Sequence, residues 1–307
     1  KSLRVFNQQG DIEMSLQQHH TTHRISRRQF LRRSAATSAA LTLVRSSFGA
    51  EATNVPPLAC RLASYGAFEE LAWTHLPSLG IRHLFLNVPA PDQIEATRER
   101  LEAHGLTPLV MRGGADLAQE SSVDELAAQL DTCHRMGVRF MFLSPKHGNA
   151  PKEAAYERLS KAGDIARQNN VIITLETHPD LGTNGDVHLE TMKAIDHPHV
   201  RVNFDTGNIT YYNRDRNAVD ELAKIIDYVG TVELKDHNGA FETWVFPPLG
   251  QGVVDFKGVL RVLNDRGYSG PVTLEFEGTR GVELDEDGTK KAIEQSISYI
   301  RTIGHFA

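Results

Sequence analysis

The chain reads as an eight-stranded parallel β/α barrel, a (β/α)8 TIM barrel, filling residues 53–307 as one domain. Three observations predict this. Strand-like and helix-like segments alternate without a break from Leu58 onward. The alternation makes eight strand–helix units in about 250 residues, the usual size of such a barrel. Four of the later strand segments have an oily face and a polar face, and the polar face ends in a carboxylate.

The elements follow in order. The first strand is expected at 58–64, with a helix at 68–79. The second is at 82–87 with a helix at 92–104, and the third at 106–111 with a helix at 122–136. The fourth is at 138–143 with a helix at 152–169. The fifth, 171–178, is apolar and β-branched, as strands prefer, and a helix is expected at 188–195. The last three strands, 200–205, 231–235 and 272–276, precede helices at 216–228, 256–265 and 287–303. Gly80, Gly105, Gly137, Gly230 and Gly267 fall between helix and strand, where a left-handed C-cap is wanted. A doubly wound open sheet is the rival, but no Gly-x-Gly-x-x-Gly turn follows the first strand. The longest stretch without helical pattern, Asp236–Asp255, is long enough to be functional.

Side chains alternate along a strand. Thr174, Glu176 and His178 therefore share a face opposite Val171, Ile173 and Leu175. By the same parity Asp205 lies opposite Phe204, Glu233 and Lys235 opposite Leu234, and Glu275 and Glu277 opposite Phe276. In a barrel the oily faces meet the outer helices and the polar faces meet the axis. Active sites of such barrels sit at the C-terminal strand ends. Four carboxylates converging there repel one another unless a cation is present, which points to a divalent metal.

Composition is that of an ordinary soluble protein: 307 residues, net charge −6 and 40% hydrophobic residues. The acidic balance and the lack of a basic patch after the leader argue against a nucleic-acid partner. Cys60 and Cys133 read as two buried thiols rather than a disulfide.

Residues 1–52 read as a leader. Arg24-Ile-Ser-Arg27-Arg28-Gln-Phe30-Leu31, followed by a small, weakly apolar run to Val44, resembles a twin-arginine export signal. That run is too short and polar to anchor stably in a membrane. Ala50-Glu51-Ala52 offers a cleavage site, which places the mature start near Thr53, and Met14 is a plausible start codon. Periplasmic or secreted localisation is the expectation.

The strand-end motifs resemble a family. Glu176-Thr-His178, Asp205-Thr-Gly-Asn208, Glu233-Leu-Lys-Asp236, Gly250-Gln-Gly252-Val-Val-Asp255 and Glu275-Phe-Glu277 are similar to motifs of xylose isomerase-like TIM barrels. That family includes sugar phosphate isomerases and epimerases, ketose 3-epimerases, inosose dehydratases and endonuclease IV. The resemblance implies one divalent metal held by Glu176, Asp205, Glu233 and Glu275, with Glu176 and Glu275 as the proton-transfer pair. It also implies a small sugar substrate near His178, Asn208, Lys235, His237 and Trp244; a homo-oligomer is compatible with it. The family usually has His where this chain has Glu233. An all-carboxylate shell favours Mn²⁺ or Mg²⁺ over Zn²⁺ or Co²⁺. Lys235 offsets one charge, or else one Glu leaves the shell and His178 or His237 takes its place. Trp244 is either a lid that stacks on the sugar or a pin for its own loop. The expected activity is sugar isomerisation or epimerisation through an enediolate. Dehydration of a keto-sugar or inosose and non-catalytic carbohydrate binding are the alternatives.

Overall fold

The computed structural model describes residues 55–307. The twin-arginine-like leader, with Arg27, Arg28 and the Ala50-Glu51-Ala52 site, lies outside the described residues.

Eight parallel strands close into a barrel. They are β1 (Leu58–Arg61), β2 (His83–Asn87), β3 (Thr107–Arg112), β4 (Phe140–Leu143), β5 (Ile172–Glu176), β6 (Val200–Asp205) and β7 (Val229–Leu234). The eighth barrel strand is β9 (Val272–Leu274), because a short β8 (Val245–Phe246) intervenes in the long insert. β8 pairs antiparallel with β10 (Gly278–Thr279), tying the loop after β7 to the loop after β9. The sequence pattern gave no sign of this two-residue pairing.

The outer helices are α1 (Glu69–Ser78), α2 (Ile94–Ala103), α3 (Ser122–Arg135), α4 (Lys152–Gln168), α5 (Gly185–Ile195), α7 (Ala218–Ile225), α8 (Phe256–Asp265) and α9 (Glu286–Ile303). Their apolar residues recur at helical spacing. Leu126, Leu130 and Cys133 of α3, and Ile293, Ile297 and Ile300 of α9, are buried on the barrel side. They pack with the outward strand residues Ile173, Leu175, Val202, Phe204, Val232 and Leu234 in one continuous core. Side-chain caps fix several helix starts: Asn184 accepts from Val187 N, Asn217 from Asp220 N and Asp255 from Gly258 N. Cys60 and Cys133 are buried and unpaired, as expected.

Three local details differ from the sequence pattern. The first strand stops at Arg61, and a 3₁₀ segment, Leu62–Phe68, leads into α1. A short helix, α6 (Thr206–Tyr212), follows β6 where a turn was expected. Gly230 is no helix cap; it lies inside β7, where a Cβ would stand 2.9 Å from Thr174 Cγ2 and 3.0 Å from Arg201 Cβ. It is glycine because two inward side chains already fill that space.

The barrel interior is divided. On the β2–β4 side Phe85, Val110 and Phe142 form an apolar plug. On the β5–β9 side the interior is polar and charged. Arg61 spans the two halves, its guanidinium 4.9 Å from the Phe85 ring centre and 5.3 Å from that of Phe142.

Candidate active site

The carboxylates are placed by strand register. Asp205 of β6 stands beside Glu233 of β7, and Glu176 of β5 beside Asn203 of β6. Glu275 follows β9 directly. Since Cys60 pairs with Leu274, the next residues along, Arg61 and Glu275, are neighbours. All four carboxylates are buried: Glu176 is 7% exposed, Asp205 and Glu233 0% and Glu275 5%.

Three of the four converge. Glu176, Asp205 and Glu233 each offer an oxygen within 4.8 Å of the others, a spacing a single cation can span. Asp205 divides its oxygens. Oδ1 caps α6, accepting from Gly207 N at 2.9 Å and Asn208 N at 3.0 Å. Oδ2 has no hydrogen-bond partner among the described residues, although Lys235 Nζ lies 3.0 Å away. Glu233 accepts from Asn203 Nδ2 at 3.0 Å and from Arg61 Nη1 at 3.1 Å. Asn208 orients Glu176: its Nδ2 donates to Thr177 O at 2.9 Å and reaches Glu176 Oε1 at 3.4 Å.

The structure does not bring Glu275 into that trio. Its Oε1 takes Arg61 Nη1, and its Oε2 lies 2.9 Å from Lys235 Nζ. Lys235 also meets Glu277 at 3.2 Å. His237 is buried with both ring nitrogens engaged. Nε2 donates to Thr243 O at 2.9 Å, which leaves Nδ1 to accept, with Thr210 Oγ1 of α6 at 2.8 Å and Gly239 N at 3.1 Å. That arrangement leaves His237 no lone pair for a metal, and among the described residues no histidine joins the trio. His178 is half-buried, its ring edge-on to Tyr212 at 5.0 Å. Trp244 contacts Tyr211 and Phe246 on its edges and carries the Arg280 guanidinium at 5.3 Å.

Arg61 was not singled out by the sequence pattern. The signal for it is strand parity: in Leu58–Arg61, Leu58 and Cys60 join the outer core, which leaves Arg61 facing inward at the strand end. Asp236 has a different role from its neighbours. Its carboxylate accepts from the backbone N–H of His237, Gly250, Gly252 and Val254 and so braces the long insert. Gly252 permits this, because a Cβ there would stand 2.3 Å from Asp236 Oδ1.

Electrostatics follow burial and pairing. Burial pushes Asp205 up to about 7 despite Lys235. Burial, reinforced by Glu275, holds Glu233 well above the usual carboxylate range despite Arg61. Glu275 differs: burial raises it, but Arg61 and Lys235 outweigh that and keep it below the usual range. Burial disfavours the Lys235 ammonium, yet Asp205, Glu275 and Glu277 overcome this and hold it charged.

These residues fit a divalent cation. Glu176, Asp205, Glu233 and Glu275 are buried and outnumber Arg61 and Lys235 four to two, so with all four ionised two negative charges stand uncompensated. A dication offsets both and favours the ionised forms that burial disfavours at Asp205 and Glu233. Asp205 Oδ2 is free of the cap that holds Oδ1 and lies 3.0 Å from Lys235 Nζ. Oxygen-only ligands suit hard ions such as Mn²⁺ or Mg²⁺.

Fold and site together define a parallel β/α barrel with an acidic centre at its C-terminal strand ends. Residues 60–303 match the family described as xylose isomerase-like TIM barrel, and the chain belongs to that family. An inosose dehydratase from Serratia proteamaculans is 22% identical over 196 residues, covering 53% of this chain and 66% of that protein. An L-ribulose-5-phosphate 3-epimerase from Shigella flexneri is 26% identical over 185 residues, covering 57% and 62%. In both cases the matched segment is shorter than two thirds of the relative. Among solved structures, a xylose isomerase-like TIM barrel protein from Mycobacterium smegmatis in complex with magnesium superposes with a TM-score of 0.65. Its identity is 19%, and the match covers 81% of this chain and 96% of that one. Among the described residues no helix is long and apolar enough to cross a membrane.

Proposed function

We propose that the chain is a divalent-metal-dependent isomerase or epimerase of a small sugar, working by proton transfer next to a carbonyl. The observation that carries this is the buried trio Glu176, Asp205 and Glu233 at three successive strand ends, each offering an oxygen within 4.8 Å of the others. Those three residues would hold the ion. A bound dication polarises a sugar carbonyl and acidifies the neighbouring C–H.

The protein's own groups do the rest. Glu275 is kept ionised by Arg61 and Lys235, and its Oε2 lies 2.9 Å from the Lys235 ammonium. That oxygen can accept a proton from carbon. Glu176, steadied by Asn208, returns a proton on the opposite face. Lys235 stays charged and within 3.2 Å of three carboxylates, so it screens negative charge that develops on the substrate. The near-complete burial of the carboxylates excludes bulk water from these transfers.

Loss of water after the same first proton transfer gives a dehydratase, and the inosose dehydratase relative favours that as the second reading. The test is solvent deuterium uptake by a panel of ketoses and inososes with Mn²⁺-loaded protein. Deuterium in recovered sugar supports isomerisation or epimerisation. An ultraviolet-absorbing enone product supports dehydration. Neither signal, with the ion bound, supports a carbohydrate-binding barrel without catalysis. Export by the twin-arginine route is proposed as well, on the strength of Arg27 and Arg28 in their sequence context.

A further inference from the structure

A recess of about 610 Å³ opens beside the acidic centre. It is walled by the 63–68 loop after β1, by Trp244 of the long insert and by the 276–284 segment after β9. Glu277 links the two places. It lines the recess and also meets Lys235, which reaches Asp205 and Glu275. A substrate held at the carboxylates therefore has this recess as its neighbour.

Two independent features describe what fits there. The first is the wall. Phe68 and Trp244 bring partly exposed aromatic rings, Val282 and Leu284 add aliphatic surface, and Tyr65 and Phe276 are buried. Val282 is 58% and Leu284 39% exposed, two of only three large hydrophobic residues exposed among the described residues. Apolar surface left open beside a polar site is where a ligand's apolar part is buried. Trp244 is held for this by Tyr211 and Phe246 at its edges.

The second feature is charge. The recess carries Glu277 and Glu283, and among the described residues its lining has no Lys, Arg or His. The nearby Arg280 is not among the lining residues and is stacked over the Trp244 ring. Glu277 already pairs with Lys235, so a phosphate or carboxylate tail would meet the Glu283 carboxylate with no lining cation to pair with, and desolvating it would go uncompensated. An aryl or alkyl group carries no such penalty and gains contact with the rings.

We propose that this recess is a subsite for an uncharged apolar substituent, such as an aryl group, carried by an unphosphorylated sugar. The proposal rests on the sugar reading above and narrows it to a substrate class. It departs from the phosphorylated substrate in the name of the Shigella flexneri relative.

The test is calorimetric titration of the full Mn²⁺-loaded chain with 6-O-phenyl-D-fructose, 6-O-methyl-D-fructose and D-fructose 6-phosphate, which keep the ketose carbonyl. The phenyl ether is expected to bind at least tenfold more tightly than the methyl ether, and fructose 6-phosphate no more tightly than the methyl ether. Trp244→Ala should reduce the phenyl preference to under threefold. Leu284→Ser, at an exposed position that does not threaten folding, should reduce it in the same direction. Equal behaviour of the phenyl and methyl ethers, including no binding of either, overturns the proposal. So does tighter binding of the phosphate, or a phenyl preference that survives both substitutions. The deuterium assay keeps the two ideas separable. A phenyl preference without exchange removes only the proton-transfer reading, and exchange without the preference removes only the subsite.

Discussion

Replacing Arg61 by Gln is expected to destabilise the metal-free protein by about 3–5 kcal/mol, the usual loss when one partner of a buried ion pair is removed. The structure gives the reason. Arg61 is 8% exposed, and its Nη1 serves Glu233 and Glu275 together. Without it, Glu233 loses its cation and Glu275 keeps Lys235 alone. Glutamine roughly matches the length of the stem but brings no charge, and it gives up the stacking on Phe85 and Phe142. The assay is urea unfolding at pH 7 with a chelator present, so that a bound ion contributes nothing. Arg61→Gln combined with Glu275→Gln removes one charge of each sign and should recover at least ~1.5 kcal/mol of the loss, a coupling of the size seen between contacting residues. An Arg61→Gln loss below ~1 kcal/mol, or a double variant no more stable than the single one, would mean that the guanidinium does not neutralise this cluster.

Other perturbations have expected outcomes of their own. His188 is buried, and burial lowers it to about 3, so the folded protein resists a proton that the unfolded chain accepts. Its effect on stability is therefore absent above about pH 6.5 and destabilising as pH falls toward about 3, by up to ~1.4 kcal/mol per pH unit. His188→Gln lacks that slope, so the stability gap between wild type and variant should narrow between pH 7.5 and 4.5 in urea titrations; a constant gap contradicts this. Asp236→Ala strips the acceptor from four backbone N–H groups and should cost at least ~2 kcal/mol. It should also expose residues 237–254 to limited proteolysis, and an unchanged digestion pattern would show that the loop needs no brace. Arg27→Lys with Arg28→Lys should keep the full chain in the cytoplasm, as read by cell fractionation, and normal export of the double variant removes the twin-arginine proposal.

The fold was legible because each barrel strand after β4 repeats one rule: apolar residues out, polar residues in, a carboxylate at the end. Parity alone put Glu176, Asp205, Glu233 and Glu275 on the inward face, and the structure finds all four there. Parity does not say which inward groups meet. That depends on register between strands, which sets Glu275 beside Arg61 and Asp205 beside Glu233. Arg61 escaped notice because the first strand was expected to run on to 64, which put Arg61 in mid-strand, whereas it ends at Arg61. His237 illustrates the reverse case. A histidine beside a metal-site motif resembles a ligand, but contacts with Thr243, Thr210 and Gly239, invisible in sequence, occupy both of its nitrogens. The small β8–β10 pairing was hidden for a simpler reason, since two residues are too few to show any period.

The acidic trio is tested most directly by calorimetric titration of Mn²⁺ into chelator-stripped wild type, Asp205→Asn and Glu233→Ala. Asp205→Asn removes one charge with little change of shape, and Glu233→Ala removes a whole carboxylate. The expected result is one ion per wild-type chain, with affinity reduced at least tenfold in each variant, equivalent to ~1.4 kcal/mol or more. Wild type that takes up no ion, or variants that bind as tightly as wild type, would contradict a metal centre built on Glu176, Asp205 and Glu233.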